Sequence, residues 1–149
     1  MNLVFRNTLA VIGGLLVGSV VNMTIITLGP MIIDIPEGAD FSTLEGLKRS
    51  MLLLETRHFI SPFLAHALGS LAGAFLTAKI ALSHQMKLAL VIGVFFSFGG
   101  IMMAFLVGGP VWFTVVDLFL AYIPMSYFCL LYTSPSPRDY AASRMPSSA

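Results

Sequence analysis

Two side chains in this sequence stand where ionisable groups are costly. Asp117 is the one formally charged residue between Leu88 and Leu131, and His66 is the one titratable residue between Phe59 and Ala78. An imidazole beside a carboxylate can take up a proton near neutral pH or hold a polar ligand through hydrogen bonds. Asn22 adds an amide that both donates and accepts, inside the uncharged run from Thr8 to Ile33. The remaining histidines do not extend this set. His58 and His66 are eight residues apart, about 12 Å along a helix and too far to share an ion, and His84 falls in another polar stretch. The sequence holds no HExxH, no Cys pair, no P-loop and no GxSxG. No metal or cofactor is implied, and the chain reads as non-enzymatic.

The elements that must position these residues follow from composition. The 149 residues are 57% hydrophobic and 10% charged, with a mean hydropathy of +0.91, whereas soluble domains carry about 25% charged residues. A soluble globular protein is therefore excluded. A formal net charge of +1 without a basic stripe excludes a nucleic-acid binder, and one Cys excludes a disulfide scaffold. The expected fold class is all-α: an integral membrane four-helix bundle, residues 1–128, in the bacterial inner membrane. A span needs about 20 apolar residues. Four segments satisfy this: residues 8–33, 59–78, 88–107 and 111–131, the last two divided by Gly108-Gly109-Pro110. Val17-Gly18-Ser19 would serve as a signal-peptide cleavage site, but the apolar run continues to Ile33, so the segment is read as a span.

Depth brings the polar residues together. His66 lies seven residues past Phe59, Asp117 six past Val111, and Asn22 seven before Gly29. Each is about 9–10 Å from the same side at 1.5 Å per residue, so the three form one candidate polar layer. Either it fastens the helices, each bond contributing about 1 kcal/mol, or it is a functional site just beneath one membrane surface.

Loop one, Asp34 to Arg57, lies on that side. Ser42-Thr43-Leu44-Glu45 reads as a capping box opening a short amphipathic helix over residues 43–55, on the membrane surface or in solvent. Basic residues near the spans tie at three per side: Arg6, Lys79 and Lys87 against Lys48, Arg49 and Arg57. The loop between spans two and three is short and basic, which predicts cytoplasmic termini.

Helical wheels divide each span into small and bulky faces. Pro62, His66, Ser70, Gly73 and Thr77 share a stripe with Gly69 at its edge, opposite Leu64, Leu68, Leu71 and Phe75. In span three, Gly93 and Gly100 lie on a small stripe opposite Val91, Phe95, Phe98 and Met102; span one carries Gly14, Gly18 and Asn22 on one face. In span four, Asp117, Ala121 and Pro124 lie opposite Val115, Phe119 and Tyr122. Small residues let membrane helices approach closely, so the six glycines are candidate packing positions. Trp112, Tyr122 and Tyr127 are candidate interface anchors, Tyr122 the deepest.

Several stretches together resemble a group of small four-span membrane proteins of environmental bacteria: Val11-Ile12-Gly13-Gly14 with Gly18-Ser19-Val20-Val21-Asn22-Met23, Pro36-Glu37-Gly38, the run from His58 to Gly69, Asp117-Leu118, and the run from Ala121 to Met125. The resemblance covers most of residues 1–128 and implies the four-span fold; that group has no assigned activity. From about residue 129 the sequence resembles a translated sequencing-adapter tail, LLYTSPSPRD and then SRMPSSA, so residues 132–149 are expected to be a disordered, non-native tail. The expected function is a multi-pass protein of the lipid bilayer that assembles through its small helix faces, as a homo-oligomer or with a membrane partner subunit. The alternative is a small transporter or proton-linked carrier using the His66/Asp117 pair.

Overall fold

The computed structural model describes residues 2–133, with side chains to Cys129; the expected tail, apart from its first two residues, lies outside the described residues. Every regular element among them is helical: α1 (Leu3–Leu28), α2 (Leu44–Ser50), α3 (Ile60–Ile80), α4 (Gln85–Val107), α5 (Val111–Leu120) and α6 (Ile123–Thr133), with short 3-10 turns at Gly29–Met31 and Thr56–Phe59. Four helical stretches are long and apolar enough to cross a membrane: Leu3–Met31, Thr56–Ile80, Gln85–Val107 and Val111–Cys129.

Helix α1 begins five residues before the expected span because Asn2 caps it, its side chain accepting from the Val4 amide. Arg6 does not end the helix; its Nε donates to the Ile80 carbonyl at 3.1 Å. Asn7 accepts from the Leu82 amide and donates to the Ser83 hydroxyl. These bonds fix the first turns of α1 to the connection between α3 and α4. At its other end α1 stops at Leu28, where Gly29-Pro30 enters a 3-10 turn.

The helix in loop one is shorter than its pattern suggests, and its cap is one residue later. Thr43, not Ser42, accepts from the Gly46 amide. Ser42 is engaged elsewhere: its amide and hydroxyl both donate to Asp40 Oδ1, at 2.9 and 2.6 Å. Those two bonds, the hydroxyl first, hold the Asp40 carboxyl below its ordinary range. Buried Ser50 closes the fold-back, accepting from the Asp40 amide and donating to the Gly46 carbonyl.

Span four is broken. Pro124 has no amide proton and its ring excludes the carbonyl four residues back, so α5 ends at Leu120 and α6 starts at Ile123.

Helices α1 and α3 meet backbone to backbone. A Cβ on Gly14 would lie 2.6 Å from the Gly73 carbonyl oxygen, and one on Gly73 equally close to that of Gly14; Gly18 and Gly69 repeat the arrangement at 2.8 and 2.9 Å. The Thr77 hydroxyl joins the seam, shared between the Gly73 and Ala10 carbonyls. Behind it Ala74, Ala78, Ala89 and Cys129 form a core with the larger Ile92. The bulky faces turn outward: Leu64, Leu68, Phe95, Phe98, Met102 and Phe119 are all exposed.

Candidate functional site

Three elements supply the site. Gly108 and Gly109, with φ of 80° and 129°, make a reversal that L side chains rarely adopt, and Pro110 then N-caps α5. Asp117 follows on the inner side of α5 and is 4% exposed. His66 comes from α3, and its Nδ1 lies 2.9 Å from both carboxylate oxygens of Asp117. The break between α5 and α6 supplies Tyr122, whose hydroxyl donates to Asp117 Oδ2 at 2.9 Å. The Tyr122 ring stacks on the imidazole, centroids 5.4 Å apart and 26° between planes. Gly100 of α4 makes room for it: a Cβ there would overlap the hydroxyl and lie 2.8 Å from Tyr122 Cζ.

The sequence-predicted residues are thus partly united. His66 and Asp117 meet. Asn22 is half-buried against Gly69, and among the described residues no side-chain hydrogen bond joins it to either. The six glycines all sit at close approaches within the chain, Gly93 facing Ser126 and Tyr122. Tyr122 is the residue the sequence misplaces: it is 2% exposed, not an interface anchor. A straight-helix wheel sets it about 140° from Asp117 at 100° per residue, and the break at Pro124 cancels that separation.

His66 and Asp117 line an apolar cavity of about 330 Å³, walled by the ends of α1, α3 and α4, by α5, and by loop one. Helix α2 and the turn after it lay Leu47, Met51 and Leu54 over it, which is where the apolar side of the amphipathic segment goes. His58 stands nearer loop one, receiving the Glu55 amide at Nδ1 and bonding the Asp34 carbonyl through Nε2.

Against an ionised carboxylate, which only accepts, Nδ1 of His66 is the donor. Nε2 is then an acceptor in the neutral ring and a donor in the charged one. His66 lines the cavity, its side chain 23% exposed, and no described protein group bonds Nε2. Among the described residues no Lys or Arg pairs with Asp117, and no group of three or more His, Cys, Asp or Glu is placed to hold a metal ion. The arrangement can bind a polar atom at the end of an apolar ligand and exchange one proton with it. Comparison with family models, curated proteins and solved structures returns no match.

Proposed function

We propose that the chain is an integral membrane four-helix bundle of the bacterial inner membrane that binds a small, mostly apolar ligand in the cavity above His66, with binding linked to a proton held by the His66–Asp117 pair. The observation that carries this reading is the Nε2 of an imidazole, unbonded among the described residues, whose other nitrogen is fixed by Asp117 and one ring face by Tyr122. Ligand sites are typically apolar cavities with a few convergent polar groups. Proton-linked carriage of the ligand across the bilayer is the activity such a site serves. Assembly with further copies or a partner subunit through the small helix faces has weaker support. Gly14, Gly18, Gly69, Gly73, Gly93 and Gly100 all face residues of the same chain, which leaves the bulky faces for lipid or a partner.

The test is an acid pulse on liposomes that enclose a pH dye. The intact protein should take up protons beyond the lipid background, and Asp117→Asn should lose that uptake while keeping most of its thermal stability in detergent. No uptake by the intact protein, together with large stability losses in Asp117→Asn and His66→Ala, would reduce the cluster to a fastening between helices.

A further inference from the structure

The chemistry of the cavity wall selects the ligand's head group, given the reading of the cavity as a ligand site. Five polar side chains line the wall: His58, Ser61, His66, Thr114 and Asp117. Ser61 donates to the Ile25 carbonyl at 3.1 Å and Thr114 to the Pro110 carbonyl at 3.4 Å. Both ring nitrogens of His58 are engaged with Glu55 and Asp34. Asp117 accepts from His66 and Tyr122 and is all but buried. Ser61 and Thr114 have spent their donors and can only accept, so the side chain left to donate to a ligand is His66, through Nε2.

Charge decides how that nitrogen presents itself. Asp117 on α5 and Tyr122 in the turn after it are the titratable groups against the imidazole, with His58 further along the same wall. Helices α1 and α4 and loop one contribute only uncharged residues to the lining. A neutral His66 leaves one uncompensated negative charge beside an apolar cavity, which is costly. A proton on His66 makes the pair neutral as a whole and turns Nε2–H into a donor aimed at the ligand.

Four kinds of head group can then be compared. A carboxylate adds a second negative charge close to Asp117. An organic cation meets the imidazolium. An alcohol accepts from Nε2–H but must at the same time aim its own proton at the Ser61 or Thr114 oxygen, a second demand on its position, or leave that proton unpaired, which is unfavourable. A carbonyl oxygen accepts and brings no donor. We infer that the cavity takes an uncharged lipophilic carbonyl compound, a ketone or an ester, whose oxygen accepts from His66 Nε2 and whose hydrocarbon lies against Ile26, Phe41, Leu47, Met51, Met103 and Leu118. Loss of the proton turns Nε2 into a lone pair facing the carbonyl, so affinity falls as pH rises.

The chain carries its own reporter. Its single tryptophan, Trp112, packs edge-on against Phe59 of the cavity wall, ring centroids 5.6 Å apart. Emission is followed in nanodiscs of diether phosphatidylcholine, a lipid without carbonyls, during titration with four probes of similar chain length: methyl decyl ketone, dodecanol, dodecanoate and dodecyltrimethylammonium. The ketone should saturate the signal, bind more weakly as pH is raised, and bind about tenfold to a hundredfold more weakly to His66→Phe, the value of one hydrogen bond to a charged donor. Because His66→Phe strands Asp117, Asp117→Asn serves as the second variant. It keeps the side chain's shape and removes the charge that calls for the proton, so the ketone's lead over dodecanol should shrink there. Preferred binding of dodecanol, dodecanoate or the cation by the intact protein overturns the carbonyl assignment and leaves the cavity standing. No saturable signal from any probe, with His66→Phe like the parent, overturns both. In diester phosphatidylcholine, a lost ketone response identifies the bilayer's own ester carbonyl as the occupant, and a retained one a free compound.

Discussion

Tyr122 and Asp117 show how a buried carboxylate is held without a fixed cation. The hydroxyl of Tyr122 supplies one donor and His66 Nδ1 the other. Tyr122→Phe keeps the stacked ring and removes only the hydroxyl, so it should cost about 1 kcal/mol, the range of interhelical hydrogen bonds in membranes. Unfolding by SDS titration measures this, and an unchanged midpoint would show that Asp117 draws nothing from the hydroxyl. At this scale the site was half legible. Asp117 and His66 announce themselves because ionisable residues are rare in apolar runs, and counting residues from the span ends sets them at one depth. Asn22 satisfies the same count yet faces Gly69, since depth fixes height in the bundle and not direction around it. Tyr122 was hidden because a wheel assumes an unbroken helix, although Pro124 is the signal that this assumption fails.

Among the elements, α1 and α3 carry the closest packing, and two glycine substitutions separate close approach from composition. Gly73→Ala drives a methyl against the Gly14 carbonyl, while Gly99 in α4 has nothing within 4 Å of its Cβ position. Gly73→Ala should therefore lose about 1–3 kcal/mol, the usual penalty of overpacking. Gly99→Ala should be neutral or slightly stabilising, because Ala is the better helix former. Equal losses in the same SDS titration would remove the glycine seam as the reason these helices meet. Spans and small faces were readable because period and composition are local properties of a helix. The cap of α2 was not, because Ser42 and Thr43 are both good caps and the choice fell to Asp40, which binds Ser42 first. Nor could the sequence bring α2 over the cavity, since that depends on where the ends of α1, α4 and α5 come together.

For the whole molecule, the two ends differ in how their basic residues are held, and this bears on orientation. In loop one, Lys48 pairs with Glu45 at 3.3 Å and Arg57 with Glu55 at 3.1 Å, while Arg49 donates to the Glu45 carbonyl. At the other end Arg6 lies on the Ile80 carbonyl and Lys79 over the Phe75 ring, and no described acid pairs with either or with Lys87. A basic residue already compensated by an acid is easier to carry across a bilayer than a bare one. The end holding Arg6, Lys79 and Lys87 should therefore stay in the cytoplasm, in line with the preference for basic cytoplasmic loops. In that orientation the cavity mouth under loop one would face outward, and a proton held there would exchange with the external medium. Single cysteines test this with a membrane-impermeant maleimide, the chain's existing Cys129 being buried and the unsubstituted chain serving as the blank. Glu37→Cys, in the exposed part of loop one, should label in intact cells. Gln85→Cys, at the start of α4, should label only after permeabilisation. The reverse pattern turns the molecule over and gives the cavity a cytoplasmic mouth; labelling of both from outside would sink the membrane-spanning arrangement itself.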